Sequence, residues 1–148
     1  MCNAIYGGCV TSKLFMNVRE EMSLCYYVSS GLEKFKGVMI VTAGVDCDQY
    51  EVARDAILRE LEACRSGKIT DEEIEAALRA LVSSLRAAED SPGRMDDHYL
   101  GQRLLGLDTA PADLIPRLQA VTREEIAAAA QRLWLDTIFF VKGETEHD

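Results

Sequence analysis

Residues 7–30 read GGCVTSKLFMNVREEMSLCYYVSS, and how this stretch divides decides the fold. Its front part is the end of a helix. Ile5, Cys9, Leu14, Val18 and Met22 recur at helical spacing and predict one helix from about Asn3 to Met22, with Asn3 as its N-cap. The Gly7-Gly8 pair opposes that helix by roughly 1 kcal/mol per glycine relative to alanine. Interior glycines of this kind go with close packing or a nearby ligand. A second face of the same helix would carry Gly8, Ser12, Phe15 and Arg19. Small residues below a guanidinium leave room for an extended chain, which makes Gly8, Ser12 and Phe15 candidate substrate-binding positions. They equally suit close packing of another element, and spacing alone does not separate the two readings.

The end of the stretch turns into a strand, about Tyr26 to Leu32, rich in aromatic and β-branched residues. A turn around Glu33–Gly37 leads to a second strand, Val38 to Val45, completing an antiparallel hairpin. Because the second strand is apolar on both faces, it is expected in the middle of a sheet. Asp48 with Glu51 has capping-box spacing and opens a helix whose buried stripe is Val52, Ala56, Ile57, Leu61 and Cys64, closed by Gly67. Thr70 with Glu73 opens the next, with Ile74, Leu78, Leu81, Val82 and Leu85 inward. Ser91-Pro92-Gly93 breaks the chain. Helices follow near Met95–Leu104 and Leu114–Gln119, and Thr122 with Glu125 caps a last helix ending near Leu133. TIFFVK, Thr137 to Lys142, is expected to be a final strand. ITDEEIEAA and VTREEIAAA share one capping solution without forming an internal repeat.

This order predicts an α+β layer, with helices packed on one face of a mostly antiparallel sheet. A length of 148 residues suits a single domain, residues 1–148. Three strands make a small sheet, so another chain completes it or the domain begins before Met1. Its open edge leaves homo-oligomerisation as one outcome.

Composition excludes several classes. The net charge of -9 argues against nucleic acid and against an anionic membrane surface, since both need a basic patch. No apolar run approaches the roughly 20 residues of a membrane span. No signal peptide is visible, and the expected compartment is the cytoplasm. The cysteines, Cys2, Cys9, Cys25, Cys47 and Cys64, form no CxxC pair and read as small buried hydrophobes in a reducing compartment. The only histidines, His98 and His147, are too far apart for a paired-histidine zinc helix. No metal ligands are assigned to this chain. Cys25 as a nucleophile has nothing local to lower its pKa. Asp96, Asp97 and His98 are consecutive on a helix and do not face one point.

Arg19 and Tyr26 remain as candidate chemical groups. Taken alone, they also fit an ordinary ion pair and an ordinary strand aromatic. The stretch as a whole, however, resembles the signature of the C-terminal, non-zinc domain of zinc peptidases of the pitrilysin and mitochondrial-processing-peptidase (M16) family. The matching features are Gly7-Gly8, Ser12 with Leu14-Phe15, Arg19-Glu20, and Leu24 with Tyr26. GVMIVTAGVD, GKITDEEIEAA, the Asp90-Ser91-Pro92 break, VTREEIAAAA and TIFFVKG follow in the family's order, so the likeness covers nearly the whole chain.

The resemblance implies a LuxS/MPP-like metallohydrolase half, one of two α/β halves that close around a peptide substrate. The other half, or a partner chain, carries zinc and its catalytic base. This half implies a catalytic arginine and tyrosine, matched by Arg19 and Tyr26, that orient the scissile peptide and stabilise the oxyanion. The first strand and first helix of a complete half are not matched before Cys2, so Met1 reads as the start of a truncated domain without peptidase activity alone. The alternative is a non-catalytic subunit or structural partner of such a complex. An unrelated stand-alone binding module is the third reading.

Overall fold

The computed structural model describes residues 1–143. Its architecture is α+β, with helical elements packed on one face of an antiparallel hairpin. Two π-helical segments, Ala4–Gly8 and Leu14–Glu21, precede β1 (Tyr27–Glu33) and β2 (Val38–Gly44). A 3-10 turn, Cys47–Gln49, leads into α1 (Tyr50–Arg65), followed by α2 (Asp71–Glu89), α3 (Pro92–Leu104), α4 (Pro111–Gln119) and α5 (Arg123–Gln131).

The strands pair in register from Tyr27 with Gly44 to Glu33 with Val38. Val28 and Ser30 of β1 face the helices and are buried, with Met39, Val41 and Ala43 of β2 partly buried beside them. The two π-helical segments pack on β1, and α1 and α2 pack behind them. The core joins Ile5, Tyr6, Leu14 and Val18 to Ala53, Ala56, Leu61, Cys64, Ala77, Ile126 and Ala130. Burial of these side chains is the main favourable term holding the layers together.

The single helix expected over 3–22 is instead two segments. Cys9 is extended (φ -149, ψ 168), and the chain restarts after a turn in which Ser12 N–H donates to Cys9 O at 3.1 Å. The cause lies at Gly7. A Cβ there would lie 2.7 Å from the Ser30 hydroxyl and 2.9 Å from the Ser30 backbone nitrogen. Gly7 is therefore where the helix meets β1, and of the two readings of the glycine pair, Gly7 takes close packing. Asn3 does not cap a helix: Ser30 Oγ donates to Asn3 Oδ1 at 2.8 Å. Both segments are wound wide, as in Met22 N–H donating to Asn17 O, five residues back, at 3.0 Å.

Two buried polar contacts moor the second segment. Lys13 Nζ lies 2.8 Å from Glu73 of α2, and Asn17 Nδ2 donates to Glu60 of α1 at 2.8 Å. Glu73 also closes a capping box, accepting from Thr70 N–H at 2.8 Å while Thr70 Oγ1 accepts from Glu73 N–H at 3.2 Å. Thr122 and Glu125 repeat this at α5. Both boxes lie where the sequence predicts them. The expected box at Asp48 does not form, because Cys47–Gln49 is a 3-10 turn and Gln49 opens α1 without a side-chain cap. Gly67 (φ +72) ends α1, with Lys68 N–H donating to Ala63 O at 2.9 Å and Gly67 N–H to Cys64 O at 3.1 Å.

Two strand expectations differ from the structure. β2 is not central: among the described residues it pairs with β1 alone, and Val38 and Ile40 stay exposed on the outer face. Thr137–Lys142 forms no strand; it runs unpaired, with the Phe140 ring stacked on Tyr50 at 4.1 Å between centroids. A strand needs a hydrogen-bonding neighbour, and among the described residues none lies beside it. Among those residues, no helix is long and apolar enough to cross a membrane.

Candidate functional site

Arg19 and Tyr26 are brought together by the turn between the second π-helical segment and β1. Ser23 sits in the left-handed region (φ 51), a conformation that ends helices but is uncommon outside glycine. Leu24 N–H then donates to Val18 O at 3.1 Å, and the chain reverses into β1. As a result, Arg19 Nε donates to the Tyr26 carbonyl oxygen at 3.0 Å. The guanidinium carbon lies 4.7 Å from the centroid of the Phe15 ring, one turn earlier, and Nη1 pairs with Glu20 at 3.1 Å. A guanidinium has five N–H donors, so with Nε bonded to Tyr26 and Nη1 paired with Glu20 it keeps further donors.

Tyr26 precedes β1. Its N–H donates to Gly44 O at 2.8 Å, which extends the hairpin by one bond. Its ring is 68% exposed, and its hydroxyl donates to Asp46 Oδ1 at 2.8 Å. That hydrogen bond, with the negative charges of Asp46 and Asp48, pushes the phenol's ionisation above its ordinary value. Asp46 is the site neighbour that sequence reasoning missed. The hairpin register was the available signal: Tyr27 opposite Gly44 places Tyr26 next to the residues that leave β2.

The expected substrate-binding residues separate. Phe15 is half-buried beneath Arg19 and shares its corner. Gly8 lies on the other π-helical segment, exposed, where a Cβ would crowd Asn3 at 2.7 Å. Ser12 is 1% exposed and faces the interior, with its hydroxyl accepting from Phe15 N–H at 3.4 Å. Breaking the helix at Cys9 removes the common face on which all four residues were expected.

No three His, Cys, Asp or Glu side chains converge to hold a metal among the described residues, so zinc has no fitting ligand set there. His98 Nε2 lies 2.7 Å from Thr109 O and pins α3 to the following loop. Cys25 is buried, and burial pushes its thiol up, which suits a structural role. Burial also drives the Cys64 thiol up to about 12.

The geometry is that of an α+β layer with a guanidinium and a phenol carried at one corner. Residues 2–81 match the family model described as the Peptidase M16 inactive domain, and the chain belongs to that family. It is 30% identical over 141 residues to the "Probable inactive metalloprotease YmfF" of Bacillus subtilis, covering 95% of this chain and 33% of that protein. It is 26% identical over 137 residues to the "Uncharacterized zinc protease YmxG" of the same organism, covering 90% of this chain and 34% of that protein. A conserved protein from Enterococcus faecalis superposes with a TM-score of 0.91 at 40% identity, over 99% of this chain and 35% of that one. A protease from Helicobacter pylori superposes at 0.70 with 15% identity, over 88% of this chain and 33% of that one, a likeness of fold alone. The chain spans about a third of the length of these curated relatives.

Proposed function

We propose that this chain is the substrate-orienting, metal-free half of a zinc-dependent peptidase, with Arg19 and Tyr26 as its catalytic residues. The observation that carries the reading is the Arg19 Nε contact to the Tyr26 carbonyl, which ties the guanidinium to the backbone of the residue that carries the exposed phenol. Neither group has to titrate. Both supply N–H or O–H donors to a peptide carbonyl and to the oxyanion that forms on it, where preorganised donors count most. Phe15 supports the guanidinium from below. Ser12 acts from inside by starting the segment that carries Arg19. Zinc and its base come from a complementary half or partner chain, and the substrate is a peptide.

The test is a reconstituted protein containing the zinc-bearing half. Arg19→Ala and Tyr26→Phe are each expected to lower kcat/KM for peptide cleavage by roughly 100-fold, the scale of losing one oxyanion donor. Unchanged cleavage by folded variants refutes the assignment. A second reading is favoured by the name of the Bacillus relative, which is called inactive: a non-catalytic subunit that binds or supports an active partner. In that case both substitutions leave cleavage intact, while omitting the chain abolishes assembly.

A further inference from the structure

We propose that Asp46 is a positioning residue for Tyr26: its carboxylate holds the phenol in place until a substrate carbonyl takes over the hydrogen bond. This rests on the reading of Tyr26 as a substrate-facing donor. A phenol has one O–H and can donate to one acceptor at a time. In the resting chain that proton is committed to Asp46 Oδ1 at 2.8 Å. The ring is exposed, so packing does little to fix its rotamer, and this charge-assisted bond is what aims it.

Both ends of the contact are anchored by backbone. On one side, Tyr26 N–H donates to Gly44 O at 2.8 Å, and the Tyr26 carbonyl accepts from Arg19 at 3.0 Å. On the other, Asp46 is extended (φ -67, ψ 144), and its carbonyl accepts Gln49 N–H at 3.0 Å at the start of the 3-10 turn. The aspartate is therefore held at a set distance from the start of β1, twenty residues away in sequence. The charged groups around the pair are Asp48 on the turn after β2 and, on the second π-helical segment, Arg19 with its partner Glu20.

The arrangement predicts a transferable donor. The hydroxyl leaves Asp46 for the substrate oxygen as negative charge grows there, and no covalent bond is made or broken in the exchange. Asp46→Asn is the informative variant, because it keeps the shape and removes the charge. In this chain, the Tyr26 phenol is read as the ultraviolet titration difference between each protein and its Tyr26→Phe counterpart. The phenol is expected to ionise at lower pH in Asp46→Asn than in the wild type. An unchanged titration overturns the proposal.

In the reconstituted enzyme, Asp46→Asn is expected to lower kcat by roughly 10- to 100-fold with little change in KM. It is expected to have no further effect in a Tyr26→Phe background, since a positioning residue acts only through the group it positions. If the two losses multiply, Asp46 acts independently of Tyr26 and the inference fails while the Tyr26 assignment stands. If Tyr26→Phe itself leaves cleavage unchanged, the functional reading fails and takes this inference with it.

Discussion

The N-terminal corner places its apolar side chains differently from two later stretches, α3 with the loop after it and residues 132–143. In the N-terminal corner Ile5, Tyr6, Leu14, Val18, Cys25 and Val28 are all buried, and the polar Lys13, Asn17 and Ser30 are tied to partners. In those later stretches the balance shifts toward water, while α5 between them gives Ile126 and Ala130 to the core. No residue of α3 is buried, while Leu100, Leu104, Leu105, Leu107, Trp134, Phe139 and Val141 face water. Apolar content is similar in the two regions, so content does not decide which becomes core. What decides it is whether a second layer stands opposite. The corner lies between the hairpin and α1–α2, whereas α3 and the 132–143 stretch have a neighbour on one side only. The difference teaches that the more deeply packed part of this chain is the part that carries Arg19 and Tyr26.

The strongest way to break this comparison is a matched pair of truncations. Leu14→Ala, at 0% exposure, is expected to cost about 2–5 kcal/mol of unfolding free energy. Leu104→Ala, at 67%, is expected to stay within about 0.5 kcal/mol of wild type. Urea denaturation of both reads the contrast, and equal losses would mean the two regions are not built differently.

A smaller effect tests how tightly the corner meets the hairpin. Gly7→Ala inserts a methyl against Ser30 and Leu14 and is expected to cost roughly 1–3 kcal/mol. Gly31→Ala, where nothing lies within 4 Å, is expected to be neutral or slightly stabilising. If thermal melts show no penalty at Gly7, close packing does not explain the broken helix.

The smallest effect sharpens the comparison with two caps of the same chemistry. Thr122→Ala removes a capping box at α5 and is expected to cost about 1 kcal/mol. Thr70→Ala is expected to cost more, because Glu73 of its box also holds the buried Lys13 at 2.8 Å. Hydrogen exchange should show Thr70→Ala loosening residues 13–21, with Thr122→Ala leaving them protected. Identical patterns would remove the link between α2 and the corner.

How much was legible follows from the range of each interaction. The boxes at Thr70 and Thr122 and the Gly67 termination are closed within a few residues, and the sequence predicts them where they stand. The hairpin is legible for the same reason, since its turn sits between two β-rich runs. Asn3, Asp48 and Ser12 were misjudged because each had a local role open to it and took another set by the fold. Asn3 went to Ser30, 27 residues on; Asp48 fell inside a 3-10 turn; Ser12 turned inward. The site shows the same division. Arg19 and Tyr26 are singled out by the family resemblance, and they meet through a backbone carbonyl, which side-chain reasoning does not see.

By itself, then, the sequence determined the α+β class, the hairpin and the helices capped at Thr70 and Thr122, because those depend on periodicity and on contacts a few residues apart. Only the tertiary structure decided that GGCVTSKLFMNVREEMSLCYYVSS is two wide-wound segments rather than one helix. There the approach of β1 to Gly7 outweighs helical propensity. It also brought Asp46 to the phenol, because hairpin register, not sequence distance, sets which side chains meet. It left Thr137–Lys142 unpaired, because β-propensity makes a strand only where another strand offers its hydrogen bonds.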